Sequence, residues 1–169
     1  MMILVIGGSK CGKSHYAESI FRDVHCPKYY LATMQPYGND AFETIQRHRK
    51  NRADKGFLTA EQYTDIDKAD ICMGASVLLE CMGNLLANEM FQRGQMIDCT
   101  DKIIADVLRL NQKTNMLVIV SNQVGSDGLQ YDSGTTAYIS ALGRINRSLA
   151  YNADRVVECV YGIPVVLKG

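Results

Sequence analysis

Residues 7–14, "GGSKCGKS", carry glycines, a lysine and a serine at the spacing G-x-x-x-x-G-K-[ST], directly after an apolar run and before a helix-like one. In that setting the spacing has a chemical meaning. Glycines let successive backbone N–H groups turn inward and cradle phosphate oxygens. A helix starting at the same point adds unpaired donors and the positive end of its dipole. Lys13 then reaches the β- and γ-phosphates of a nucleoside triphosphate, and Ser14 offers its hydroxyl to Mg2+. Lys10 and Cys11 are assigned no side-chain chemistry. The plain alternative is a glycine-rich turn with Lys13 merely solvated.

Such a site needs a carboxylate at the end of a neighbouring strand to help hold the metal. "SVLLEC", residues 76–81, supplies Glu80 after Val77, Leu78 and Leu79. It emerges at the carboxyl edge of the sheet, where ligands bind in open α/β folds. Taken alone, Glu80 is as readily an acid that marks the end of a strand; the loop at residues 7–14 shifts the reading toward function.

A second constellation lies in residues 40–52, "DAFETIQRHRKNR". The pattern predicts a helix starting at Asp40, with Glu43 completing a capping-box-like pair. Arg47, Arg49, Lys50 and Arg52 surround His48, and of the histidines at 15, 25 and 48 it alone sits in a dense cationic group. A cationic run near a helix end is ordinarily a solvated face. Here it would also bind triphosphate and favour neutral imidazole, leaving a lone pair to attack phosphorus.

The elements that must position these groups follow from the apolar runs. "MILVI" (2–6), "KYYLA" (28–32), "SVLLEC" (76–81), "MLVIVS" (116–121), "RVVECVY" (155–161) and "PVVLK" (164–168) read as buried strands. Between them Ala17, Ile20, Phe21 and Val24 share a helical face, as do Ile103, Ile104, Val107 and Leu108, and Leu142, Ile145 and Leu149. Alternation of this kind predicts a P-loop NTPase-like α/β fold, a mostly parallel sheet flanked by helices. The last two strands are too close for a crossover and should form an antiparallel hairpin.

With 169 residues, one domain spanning 1–169 is expected. Lys plus Arg and Asp plus Glu balance at 18 each, which removes any net field toward nucleic acid or an anionic membrane. The six cysteines lack a CxxC pair and suit reduced, packed thiols in a cytoplasmic protein. No apolar run approaches the length of a membrane span, and "MMILVIGG" has no basic region or cleavage site of secretory type, so a soluble, unprocessed protein is expected.

Taken in order, "ILVIGGSKCGKS", "LAT" (31–33), "IQRHRKNR" (45–52), "TAE" (59–61), "LLEC" (78–81), "NQVG" (122–125) and "GRINR" (143–147) give the chain its resemblance to a known family. It resembles the bifunctional adenosylcobinamide kinases and adenosylcobinamide-phosphate guanylyltransferases of cobalamin biosynthesis. The resemblance implies phosphorylation of adenosylcobinamide by ATP or GTP with Mg2+. It implies guanylylation of His48 by GTP, with GMP passed on to adenosylcobinamide phosphate. It also implies nucleotide contacts from Gly7, Gly8, Ser9, Lys10, Cys11, Gly12, Lys13 and Ser14, from Ala32, Thr33 and Met34, from Arg49, Lys50, Asn51 and Arg52, and from Glu61 and Glu80. A homotrimer is implied as well.

The chain departs from the family pattern where Gln123 replaces the acid of "NEVG", and where "TAYIS" (136–140) replaces an arginine-rich "RxFRD". Lost arginines remove anion contacts, and a lost acid removes a base or metal ligand. Asn122 and Gly125 by themselves read as a turn. Two rivals stay open at this point: a small-molecule kinase without nucleotidyl transfer, and a non-catalytic nucleotide-binding module.

Overall fold

β-Branched and aliphatic residues fill the apolar runs, and in the computed structural model, which describes residues 1–35, 55–92, 94–125 and 127–169, they become the strands of one twisted sheet. Its strands are β1 (Met2–Ile6), β2 (Lys28–Ala32), β3 (Phe57–Glu61), β4 (Ser76–Leu79), β7 (Met116–Val120), β8 (Arg155–Val160) and β9 (Ile163–Lys168). Their order is β3-β2-β4-β7-β1-β8-β9. Neighbours pair parallel except β8 and β9, which are antiparallel. A separate two-stranded ribbon joins β5 (Phe91–Gln92) to β6 (Gln95–Met96). The expected α/β architecture and terminal hairpin are both present.

Alternation along β1 sends Met2 and Leu4 to one face and Ile3 and Val5 to the other, and all four are buried. A strand apolar on both faces belongs in the middle of a covered parallel sheet. The first face packs against α2 (Met82–Met90), α3 (Thr100–Lys113) and α4 (Ser133–Asn152), through Leu86, Ile103, Val107, Leu142, Ile145 and Leu149. The second packs against α1 (Lys13–Ser19) and the turns after it, through Ala17 and Phe21.

Three details differ from the sequence reading. The regular helix α1 ends at Ser19, and the chain continues in tight turns, with the N–H of Phe21 donating to Glu18 O and that of Val24 to Phe21 O. Phe21 still reaches the core because such turns keep a near-helical pitch. Strand β3 was not foreseen, since as an edge strand it leaves Leu58 and Thr59 exposed and lacks an apolar run. Helix α2 was also missed: it begins directly after Glu80, with Cys81 as N-cap, its sulfur accepting from the Asn84 N–H at 3.4 Å. The helix predicted over residues 40–52 lies outside the described residues.

One ion network ties the first face together. Lys102 Nζ contacts Asp65 at 2.6 Å, Glu89 at 2.6 Å and Asp106 at 3.0 Å, and Arg109 also pairs with Asp106. The Glu89 and Asp106 side chains are almost wholly buried, and the lysine places its positive charge against both.

Candidate functional site: a phosphate loop and its flanks

Strand β1 delivers the chain to the carboxyl edge of the sheet, where α1 begins almost at once. The connection must turn sharply, and positive φ angles at Gly7 (148°), Lys10 (56°) and Gly12 (94°) do this. Gly12, as N-cap of α1, has no side chain to cap the helix. The early N–H groups of α1 therefore lie at the rim of an open hollow of about 290 Å³ lined by Lys10, Cys11, Gly12, Lys13, Ser14 and His15. Positive-φ residues set among ordinary ones are the means by which a loop can turn its N–H groups toward an anion.

Neighbouring strands brace this loop. The Gln123 N–H, just past β7, donates to Gly7 O at 3.0 Å, and the Gly162 N–H, between β8 and β9, donates to Cys11 O at 2.9 Å. Neither contact is legible from sequence, because both join backbone groups far apart in the chain. Gly8 differs from Gly7 and Gly12: it has ordinary φ, and a Cβ there would meet nothing within 4 Å.

Lys13 is buried, 7% exposed, and its Nζ donates to Gly8 O at 2.6 Å. The ammonium thus bends back over the loop rather than extending into water as a surface lysine would. Ser14 is exposed on the first turn of α1. Burial pushes the Cys81 thiol above its ordinary pKa, and nearby Lys13 pulls the other way. Burial likewise raises Cys159, again against a pull from Lys13. Both thiols stay protonated at neutral pH and are packing groups rather than nucleophiles. All six cysteines are free thiols, as expected, though Cys72 is exposed.

On the β4 side, Leu79 pairs with Ile119, and Ile119 pairs with Leu4, so Glu80 emerges level with Val5 two strands from β1. That is about 10 Å across the sheet. The Thr33 N–H donates to Glu80 Oε2 at 3.3 Å, and the Thr33 hydroxyl donates to Cys81 O at 2.9 Å. Thr33 is fully buried, and Ala32 and Met34 are half-buried beside it. Asn88, on α2, was missed by the sequence reading. Its amide donates to Thr33 O at 2.8 Å and to Tyr63 O at 3.0 Å, joining the ends of β2 and β3. Its partners are carbonyls, which leave no signature in side-chain spacing. Glu61 ends β3 and accepts from the Tyr63 hydroxyl at 3.0 Å.

The loop, Thr33, Glu61 and Glu80 therefore share one carboxyl edge. His48 and its neighbours Arg49, Lys50, Asn51 and Arg52 lie outside the described residues.

The two departures have structural uses. Gln123 donates from its amide to Glu158 Oε1 at 2.9 Å, a bond that a second carboxylate could not make. Residues 136–140 lie in α4, where the Tyr138 hydroxyl donates to Gly83 O at 3.1 Å and Ile139 fills the space beside Gly125. Burial pushes the Tyr138 pKa up to about 12, so it remains a donor at neutral pH. Gly125, at φ 78°, makes the turn expected there.

Of the residues expected to hold a metal, Ser14 offers a hydroxyl and Glu80 a carboxylate, both oxygen donors. Hard oxygen donors in small number fit Mg2+, which completes its shell with water and phosphate oxygens.

A model of the CobU family, cobinamide kinase / cobinamide phosphate guanyltransferase, matches residues 3–167. The bifunctional adenosylcobalamin biosynthesis protein CobU of Escherichia coli is 31% identical over 186 aligned positions, covering 99% of this chain and 100% of that protein. The protein of the same name from Salmonella typhimurium is 30% identical over 184 positions, with 99% and 100% covered. The bifunctional adenosylcobalamin biosynthesis protein CobP of Pseudomonas aeruginosa is 24% identical over 173, with 100% and 98% covered.

Proposed function

The chain belongs to the cobinamide kinase / cobinamide phosphate guanyltransferase family, and on that premise we propose that it carries out both reactions, using ATP or GTP to phosphorylate adenosylcobinamide and then joining GMP to the product. In the first step a hydroxyl oxygen of adenosylcobinamide attacks the γ-phosphorus. The bond to the β-phosphate oxygen breaks, ADP or GDP leaves, and the hydroxyl proton passes to solvent. In the second, an imidazole nitrogen of His48 attacks the α-phosphorus of GTP and expels pyrophosphate. A phosphate oxygen of adenosylcobinamide phosphate then displaces the histidine.

The observation that carries this reading is the phosphate loop: a turn with three positive-φ residues and Lys13 Nζ folded back onto its Gly8 carbonyl. Converging N–H groups and a buried cation stabilise charge that builds on phosphate oxygens in either displacement. The carboxylate of Glu61 supplies an acceptor that matches the N–H edge of guanine, and the half-buried Ala32 and Met34 would line the same flank. Arg49, Lys50, Asn51 and Arg52 extend the phosphate clamp around His48. Mg2+ held by Ser14 and Glu80 would neutralise phosphate charge.

As a family member the chain is proposed to assemble as a homotrimer. Its edge strand β9 leaves Ile163, Val165, Val166 and Leu167 exposed, apolar surface of the kind that association covers. Six free thiols suit a reducing cytoplasm, and no helix of the described residues is long and apolar enough to cross a membrane.

The test follows phosphate through both steps. Adenosylcobinamide with γ-labelled ATP or GTP should yield labelled corrinoid, and further GTP should raise the product mass by one GMP. A folded protein that transfers nothing from either donor would overturn the proposal.

A further inference from the structure

Tyr161 and Gly162 form the two-residue turn between β8 and β9, with φ angles of 49° and 84°. Turns of this mirror-image type ordinarily place asparagine, aspartate or glycine first, because a bulky L side chain clashes with its own backbone at positive φ. A tyrosine occupies the position here, and it is 96% exposed, so no packing compensates. The turn is also anchored. Its Gly162 N–H donates to Cys11 O at 2.9 Å, and a Cβ on Gly12 would come 3.2 Å from Gly162 Cα. A strained, solvent-facing aromatic residue is thus fixed to the rim of the phosphate loop. Strain of this kind persists where a site uses it.

We infer that Tyr161 is a stacking platform for the base of the nucleotide that donates the phosphoryl group, an inference that rests on the phosphate-loop reading above. The loop has two chemically different flanks. On one side β3 ends in Glu61, whose exposed carboxylate can read the edge of a base. Across β1, the end of β8 presents an aromatic face. Stacking on such a face is tolerant of base identity, since every base has a π-surface, and each stacked base strengthens binding by roughly 5- to 150-fold. A donor site built this way accepts ATP and GTP alike, whereas GMP transfer needs a flank that selects guanine. Two flanks on one phosphate loop would let a small domain treat the two nucleotides differently.

The chain contains no tryptophan, so Tyr161→Trp makes a single-tryptophan reporter. Both ATP and GTP should quench its emission saturably, while inorganic tripolyphosphate, which fills the loop without a base, should leave it unchanged. Tyr161→Asn removes the ring but suits positive φ better than tyrosine, so the turn is kept. It should raise KM for ATP in adenosylcobinamide phosphorylation about tenfold, with kcat within about threefold, and Tyr161→Phe should restore the parental KM. An unchanged KM in Tyr161→Asn, or a reporter indifferent to ATP at concentrations that saturate the parent, would overturn the inference alone. Failure of the parent to bind either ATP or tripolyphosphate would overturn the phosphate-loop reading itself, and this inference with it.

Discussion

A Cβ built on Gly7 would lie 2.6 Å from the carbonyl oxygen of Cys159, so the first glycine of the phosphate loop is fitted against the backbone at the end of β8. Backbone cannot retreat as a side-chain tip can. Gly7→Ala should therefore destabilise the fold by roughly 1–3 kcal/mol in thermal unfolding without nucleotide. Gly8→Ala should stay within about 0.5 kcal/mol of the parent, because its Cβ points into open space. Any loss of GTP affinity in Gly8→Ala would then report on ligand approach rather than on folding. Equal melting of the two variants would contradict the packing described.

Lys13→Ala separates binding from folding. The side chain is buried, but its Nζ donates only to the Gly8 carbonyl and, over a longer distance, to the Cys11 sulfur among the described residues. Its removal should cost about 1 kcal/mol of stability or less. Both phosphoryl and guanylyl transfer should fall by at least about a hundredfold, since a buried cation folded over the loop would act most on charge that builds in the transition state. Parental turnover of either reaction by a folded Lys13→Ala protein would remove the lysine from that step.

The Lys102 network makes a prediction that depends on pH. Burial alone would lower the Lys102 pKa, but its hydrogen bonds to Asp65, Glu89 and Asp106 outweigh burial and raise it, while the hydrogen bond from Lys102 holds Asp65 below the usual carboxylate range. The depressed carboxylate contributes stability that is present above its unfolded pKa, about 3.9, and lost as pH falls through the folded value. The raised lysine contributes below its unfolded pKa, about 10.4, and this is lost as pH rises through its folded value. Between those limits Lys102→Met strands the buried carboxylate of Glu89. The expected cost is about 2 kcal/mol, less than for a fully buried pair because Lys102 is 42% exposed and Asp106 keeps Arg109. Urea unfolding at pH 7 and pH 3 should show the penalty shrinking in acid. A penalty that grows on acidification would contradict the assignment.

The legible part of this protein was the part written in local pattern. Runs such as residues 2–6 and 116–120 are apolar on both faces, and that identifies central parallel strands before any pairing is known. The loop was legible because its spacing and its setting between strand and helix coincide. Strand β3 was not, because an edge strand half open to water lacks the pattern that burial imposes. Helix α2 was hidden by its start: Cys81 is an unusual N-cap, and the apolar run into it reads as a continuing strand. Asn88 and the turn at Tyr161 and Gly162 reach the site through backbone contacts, which residue types do not encode.

Guanylylation of His48 is the central claim, and covalent labelling tests it most directly. An imidazole has an ordinary pKa of about 6.5, so near neutral pH much of it is already unprotonated, and cations close by increase that fraction. The adduct is a phosphoramidate, labile in acid, where the ring nitrogen is protonated and leaves well, and persistent in base. Protein incubated with GTP labelled at the α-phosphate should keep the label through denaturation in alkali and lose it in mild acid. His15→Ala and His25→Ala should label like the parent, and His48→Ala should take none. Equal labelling of His48→Ala, or a parent that turns over adenosylcobinamide phosphate yet never takes label, would contradict the account.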